Sequence, residues 1–497
     1  VVSCRMKLKF ALTISLLCGA VMPYAFSPYH WLFLAVIGLG GWLFITMQRP
    51  EHAFKLGWAF GFGWFGGGAW WLADTFHIYG HIHYALALVA VALIGIVLGS
   101  VFGLWAWIFA KLLRNNIDAL WLFPVVGTFI EWLRSFLFTG LPWTAIGNLI
   151  IETPASSWLS VLGSYGSTFI ILLFISSAAL LLQKETQMET RKFAVIGIVI
   201  GLGAFLFSPQ ITVPENPSHT AALIQPNIPQ DQKWNASFLQ TTMNRLAQLS
   251  AQAGNVDLIV WPEASVPFYL SRSPSWNTWL VEHMNGWNTP VIFGAIERIN
   301  KSSGKSQNGL FLHQTNQEER QFVGKHHLVP FGEYVPSWVP WLGKLVPDIG
   351  DFEAAQDNGL LTFGNQHFGS IICYESIFPD ETKDRIKAGA DVLIVVTNDA
   401  WYDHSPAAWQ HLQASQARAI ESGRYILRAT NTGISAIISP DGKVQETMPW
   451  WQEGFVKGKY QPLTHITLYQ QWGDKPILFI VFLGLGFGLF RIYRGRA

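Results

Sequence analysis

The sequence predicts an integral membrane α-helical domain of eight spans joined to one extramembrane α/β domain, and three observations predict it. The 497 residues are 50% hydrophobic and 13% charged, but that average joins two unlike regions. Residues 8–208 are almost wholly apolar, aromatic and glycine-rich, whereas residues 209–475 spread Asp, Glu, Lys, Asn and Gln among short apolar runs. A last apolar run, Ile477 to Leu489, precedes Arg491, Arg494 and Arg496. The organisation read from this is a membrane domain over 1–208, an extracytoplasmic domain over 209–474, and a final span with a basic tail over 475–497. A net charge of +1 offers no basic surface for nucleic acid.

A spanning helix needs about 20 mostly apolar residues. Seven spans are read before the α/β domain, at roughly 8–26, 28–47, 55–75, 84–112, 118–138, 157–182 and 192–208, and the eighth at roughly 475–492. The run 84–112 is long enough to tilt, or to break near Gly95 or Gly99. The glycine-aromatic run Gly57–Trp71 suits close packing of spans. Val1–Arg5 precede Met6-Lys7-Leu8-Lys9, a more natural start, and read as an extension or scar to which no function is given. Leu17 stands where a lipoprotein processing site needs a small residue, so Cys18 reads as an ordinary membrane-embedded cysteine.

The loops orient the chain. Arg5, Lys7 and Lys9, Arg49 and Lys55, Lys111 and Arg114, Lys184, Arg191 and Lys192, and the C-terminal arginines fall on one side. The alternate loops carry almost no Lys or Arg, Arg134 being the main exception. Positive charge marks the cytoplasmic side, so both termini are cytoplasmic and seven spans deliver residues 209–474 to the outer face. In a bacterium with two membranes that is the periplasmic face of the inner membrane.

Within 209–474, β-type runs recur at His219–Gln225, Val256–Trp261, Pro290–Ile296, Gly309–His313, His367–Cys373, Val392–Thr397 and Gly433–Ile438. Helical stretches intervene, notably Ala236–Ala251 and Ala407–Ser422. Alternation of this kind argues α/β, and the run DVLIVV suits a strand buried on both faces. Polar residues follow three strands: Pro262-Glu263, Tyr374-Glu375 and Asn398-Asp399. Converging at one end of a sheet, such edges form a site.

Only three cysteines occur, and Cys373 alone lies in the hydrophilic part. Oxidising compartments pair structural cysteines, so a lone thiol there is a candidate nucleophile. Glu263 in WPE is suited to take its proton, and Lys325 in GKHHLVPFGEYVP to stabilise a thiolate or an oxyanion. Taken singly, a packing cysteine, a turn carboxylate and a solvated lysine are the ordinary fates of these residues. His326 and His327 are adjacent, with no ligand cluster beside them, so neither metal nor cofactor is expected. The segment Pro336–Pro347 is too apolar for a solvated loop and too proline-rich for a core strand. It packs on its own domain, or it places Trp338 and Trp341 against lipid or an acyl chain.

The ordered elements WPE, K-x-x-L-V-P-F-G-E and C-Y-E resemble the Glu-Lys-Cys triad of the nitrilase superfamily. The longer forms QPNIPQDQKW, WPEAS, GKHHLVPFGEYVP, CYES, TNDAW and RATNTG, with this span layout, resemble the apolipoprotein N-acyltransferase family over nearly the whole chain. The resemblance implies a nitrilase-like αββα sandwich, where periodicity alone supports only α/β. It implies Cys373 as nucleophile, Glu263 as general base, Lys325 as the fixed positive charge, Glu333 orienting Lys325 and Glu263, and Glu375 shaping the pocket beside Tyr374. Trp234, Trp401 and Trp143 match positions implicated in lipid or substrate contact, although interfacial anchoring accounts equally for tryptophans of a membrane protein.

The implied reaction moves a fatty acyl chain from a membrane phospholipid, through a Cys373 thioester, to the N-terminal amine of a diacylglyceryl-cysteine apolipoprotein. Two alternatives stay open. A membrane-tethered amidase needs an open aqueous site, and a non-enzymatic transporter or lipid receptor needs a damaged triad or charges buried along the spans.

Overall fold

The computed structural model describes residues 6–114, 116–183, 186–298, 304–315, 317, 319–341 and 350–494. Cys4, Arg5, Lys184, Arg496 and residues 342–347 of the apolar loop lie outside them. The chain forms two compact units, one of residues 1–210, 404–413 and 471–497, the other of residues 211–403 and 414–470.

The first unit is helical. Its long helices are Leu8–Ala20, Leu32–Gln48, Ala53–Gly68, Tyr84–Leu112, Asn116–Arg134, Leu159–Leu181, Met188–Leu206 and Lys475–Arg494. By length and composition the stretches Leu8–Ala25, Tyr84–Leu112, Ser156–Leu181 and Lys475–Arg494 can cross a membrane, and Leu32–Gln48 with Pro50–Gly68, bent by 107°, makes a fifth candidate. The run read as one span over 55–75 instead ends at Gly68 and resumes as a short helix, Trp71–Ile78. Three consecutive glycines, Gly66 to Gly68, leave that helix end with little intrinsic stability. Helix Tyr84–Leu112 runs unbroken through Gly95 and Gly99, and its 29 residues reach about 44 Å. That exceeds a hydrocarbon core of about 30 Å and implies tilt or overhang.

Glycine sets the close contacts in this unit. A Cβ at Gly57 would strike the main chain of Phe102, and one at Gly63 the main chain of Leu16, so these helices approach backbone to backbone. The space beside them is filled by rings: Trp42 stacks on Phe60 at 4.4 Å and meets Trp105 edge-on at 4.9 Å. The buried pair Arg134–Glu131, 2.8 Å apart, spends its remaining hydrogen bonds on main chain, at Leu141 O, Trp143 O and Ile146 N.

The second unit is a four-layer sandwich. Strands β1 (His219–Gln225), β2 (Leu258–Val260), β3 (Val291–Glu297), β4 (Gln307–His313), β5 (Gln321–Gly324) and β12 (Gly454–Tyr460) form a sheet in the order β12-β1-β2-β3-β4-β5. Strands β6 (Leu360–Phe363), β7 (Gln366–Ile372), β8 (Val392–Thr397), β9 (Ile426–Thr430), β10 (Ala436–Ile438) and β11 (Val444–Thr447) form the other, ordered β11-β10-β9-β8-β7-β6. Each sheet has three parallel central strands, β1-β2-β3 and β7-β8-β9, flanked by antiparallel neighbours. Leu223, Val260 and Ile292 of one sheet pack with Ile372, Val396 and Leu427 of the other in one core. Met243, Leu246, Leu280 and Met284, from helices Leu239–Ala253 and Pro274–Trp287, cover the outer face of the first sheet. Helix Pro379–Lys387 packs on β7, and Arg418 of helix Ala407–Ser422 donates to Ile377 O at 3.1 Å. The layers are therefore helix, sheet, sheet and helix.

Candidate active site

The site is assembled from strand ends of both sheets, where the sequence suggested one end of a single sheet. Glu263 lies three residues past β2, Lys325 directly after β5, Cys373 directly after β7, and Asn398 directly after β8. The carboxyl ends of parallel strands leave unpaired backbone and room for side chains to converge.

Glu263 is held through both carboxylate oxygens. Asn308 Nδ2 donates to Oε1 at 2.8 Å and the Asn398 N–H donates to Oε2 at 2.9 Å. Lys325 Nζ stands 3.8 Å from Oε1 of Glu263 and donates to Oε1 of Glu333 at 2.8 Å. Glu333 also accepts from the Val329 N–H at 2.8 Å and from Asn308 Nδ2 at 3.4 Å. It therefore pairs with Lys325 directly and is linked to Glu263 through both Lys325 and Asn308. Burial disfavours the Lys325 charge, but Glu333, Glu263 and Cys373 outweigh it and raise the lysine above its ordinary value. Lys325 is thus a fixed cation.

Cys373 is buried and takes φ 53°, the left-handed region, which costs a residue with a Cβ roughly 1–2 kcal/mol. The turn out of β7 lifts the thiol off the strand into the space between the sheets. Burial, followed by the negative charge of Glu263, pushes the thiol above its usual range, while Lys325 and a hydrogen bond with Thr397 pull the other way. The resting sulfur is therefore a neutral thiol, and attack requires a base to remove its proton during the reaction. Behind it, Thr397 donates to Asp399 Oδ1 at 2.8 Å, and Asp399 Oδ2 pairs with Arg428 at 2.9 Å, both ions fully buried.

Glu375 holds main chain on two segments of the site. Its buried carboxylate accepts from the N–H groups of Ile372 (2.6 Å), His326 (2.6 Å) and His327 (3.1 Å). One side chain thereby fastens the nucleophile's turn to the loop that carries Lys325. Tyr374 beside it is buried edge-on against Phe378 at 5.0 Å. His326 pairs with Asp357 at 3.0 Å, and His327 faces Glu381 at 3.6 Å while stacking on Phe378. No cluster of metal-ligating residues occurs among the described residues.

The tryptophans are scattered. Trp234 is 50% exposed beside Lys233, and Trp401 is 39% exposed in the turn Asp399–Tyr402. Trp338 and Trp341 are 53% and 59% exposed, with Phe331 edge-on to Trp338 at 5.8 Å. Trp143 belongs to the helical unit, where its Nε1 donates to Gln410 Oε1 at 2.7 Å.

Sequence reasoning passed over Asn308, Lys233, Thr397 and Arg428. Arg428 carried a readable signal, a charged residue inside an otherwise uncharged strand. Lys233 Nζ donates to the main-chain oxygen of Glu263 at 3.0 Å, although nothing local in QDQKW predicts burial of its lysine.

This sandwich, with its carboxylate, lysine and cysteine at converging strand ends, defines a carbon–nitrogen hydrolase domain of nitrilase type, and residues 220–464 match the carbon–nitrogen hydrolase family. Residues 18–177 match the apolipoprotein N-acyltransferase N-terminal domain. The apolipoprotein N-acyltransferase of Nitrosomonas europaea is 33% identical over 504 residues, covering 99% of this chain and 98% of that protein. That of Coxiella burnetii is 32% identical over 95% of this chain and 99% of its own. The chain belongs to the apolipoprotein N-acyltransferase family. Among solved structures, an amidase from Nesterenkonia sp. AN1 is similar over 52% of this chain and 98% of its own, at 15% identity and a TM-score of 0.40.

Proposed function

We propose that the protein transfers a fatty acyl group from a membrane phospholipid to the N-terminal amine of diacylglyceryl-cysteine apolipoproteins, through a thioester on Cys373. The observation that carries this reading is the meeting of Glu263, Lys325 and Cys373 in a buried site of a chain with this family membership.

In the first half-reaction the sulfur attacks the ester carbonyl as Glu263 takes the thiol proton. Lys325 faces the negative charge that gathers on sulfur and then on the carbonyl oxygen. Collapse breaks the ester C–O bond, Glu263 returns the proton to the departing oxygen, and a lysophospholipid leaves. In the second half-reaction the neutral α-amine attacks the thioester, Glu263 takes a proton from nitrogen, and the C–S bond breaks. The thiolate recovers that proton, leaving an amide and the free thiol, so the kinetics are ping-pong. An α-amine with a pKa near 8 is partly neutral at physiological pH, and a thioester receives amines readily.

The membrane part of the proposal keeps eight spans, with residues 1–208 as the membrane domain, 209–474 as a periplasmic catalytic domain and 475–497 returning to the cytoplasm. The Lys/Arg asymmetry of the loops supports the orientation, and among the described residues four or five helical stretches are long and apolar enough to cross a membrane. Exposed Trp338 and Trp341 would contact lipid or the acyl chain, and Trp234, Trp401 and Trp143 would each contact lipid or substrate. These exposed rings also favour a lipid substrate over the small soluble substrate of an amidase.

The test supplies phospholipid bearing a heavy-isotope acyl chain and a peptide with an N-terminal diacylglyceryl-cysteine. The peptide should gain one labelled acyl group on its α-amine, and a peptide acetylated at that amine should gain none. Label released only as free fatty acid would replace transfer with hydrolysis.

A further inference from the structure

We propose that Lys233 is a second cation of this site, a positioning residue that fixes the main chain at Glu263 and supplies the positive charge Lys325 cannot give in full. The inference rests on the acyl-transfer reading above and deepens it. Lys233 closes the short helix Gln230–Lys233 and is 6% exposed. Its Nζ donates to the main-chain oxygen of Glu263 at 3.0 Å.

The segment that carries it is anchored to the second sheet. Asn431 exchanges hydrogen bonds with Ile228 at 2.8 and 2.9 Å and reaches Asn398 Oδ1 at 2.9 Å. Asn398 Nδ2 in turn donates to Gln230 at 2.7 Å, while its N–H holds Glu263. Lys233 is therefore placed by the same asparagine that places the base.

Charge explains why a second lysine is needed. Lys325 makes a 2.8 Å ion pair with Glu333, so much of its field is already cancelled. Among the described residues Lys233 has no ion pair, and its polar partner is a neutral carbonyl. With Glu263 and Glu333 negative and Lys325 positive, Lys233 brings the cluster to neutrality before the thiol gives up its proton. An uncompensated buried cation is costly unless a nearby negative charge benefits from it. The groups that act on its charge are Glu263 and Cys373, and both favour it. Burial prevails and lowers Lys233 to about 8, so it loses its charge as pH rises through that value.

The experiment follows alkylation of Cys373 by iodoacetamide and acyl-adduct formation from phospholipid in detergent-solubilised full-length protein. Lys233→Met should slow both by about tenfold or more, as loss of one preorganised electrostatic partner does. Lys233→Arg, charged at every pH used, should retain most of the rate. The ratio of the Lys233→Arg rate to the wild-type rate should climb several-fold between pH 7 and about 9.5, because only wild type discharges there. Wild-type rates in Lys233→Met overturn the proposal. So does a Lys233→Arg rate as low as that of Lys233→Met with a flat pH ratio, which marks a packing role. Should Lys233→Met fail to fold, the pH ratio decides alone. A wild-type protein that alkylates yet never gains an acyl group would sink the acyl-transfer reading and leave the Lys233 comparison standing.

Discussion

The two sheets of the sandwich share strand order and parallel centres, yet they bring different chemistry to the site. The first contributes Glu263, Asn308 and Lys325, with Glu333 beyond, a set of charged and polar groups that hold one another at 2.8 to 3.8 Å. The second contributes Cys373, raised on a left-handed turn, with Thr397, Asp399 and Arg428 buried behind it. In the proposed mechanism one face moves protons and compensates charge, while the other aims a sulfur. Near the reacting groups, Glu375, Asn398 and the Lys233 segment tie the two together. A site divided in this way should fail differently according to which sheet is altered.

The largest effect falls on the charged face. Glu263→Gln keeps the shape but removes the base, and the rate of acylation from phospholipid should fall by about 10²–10⁴ in a single-turnover assay. The thermal midpoint should stay near wild type, because the amide still offers an oxygen to Asn398. A loss below tenfold would mean that another group takes the thiol proton. Lys325→Met comes next, at about 10²–10³. It leaves Glu333 and Glu263 facing each other without their cation, so the rate should recover partly in the double variant Lys325→Met/Glu333→Gln. Absence of any recovery would argue that Lys325 acts only as a direct oxyanion partner.

Changes behind the nucleophile should show first in stability. Arg428→Met strands Asp399 as a buried charge, at a cost of about 3–5 kcal/mol, and should lower the thermal midpoint clearly more than Glu263→Gln does. Equal midpoints would mean that the comparison between the faces is drawn in the wrong place. The smallest effect belongs to the loop. Trp338→Ser with Trp341→Ser should lower turnover of long-chain phospholipid several-fold while sparing a short-chain soluble ester, since exposed rings contribute where there is lipid to meet. Equal loss on both substrates would assign those rings to folding.

Much of this was legible in the sequence, for reasons that differ by element. Strands β1 and β8 were read end to end because their apolar runs are bounded by turn residues and buried on both faces. Strand β9 was missed because Arg428 interrupts ILRAT, and nothing local reveals that Asp399 will meet it. Strand β12 was missed because Lys457 and Lys459 alternate along its exposed side, as an edge strand allows. In the helical unit, the break after Gly68 was hidden because Ala69 to Ala73, just beyond it, continue the apolar run. The WPE, lysine-loop and CYE elements gave Glu263, Lys325 and Cys373 as candidates at once. The residues that hold them were opaque because holding is a matter of distance, and Asn308 becomes meaningful only once β4 lies beside β5.

The central claim is that Cys373 carries the acyl group between the half-reactions, and intact mass spectrometry tests it most directly. Wild-type protein given phospholipid without an acceptor should gain the mass of one acyl chain, and neutral hydroxylamine should remove it as a thioester. Cys373→Ala should gain nothing, while Cys373→Ser should lose most turnover because an alkoxide is harder to generate than a thiolate. An acyl adduct on Cys373→Ala protein, or continued acylation of the apolipoprotein by it, would contradict the account.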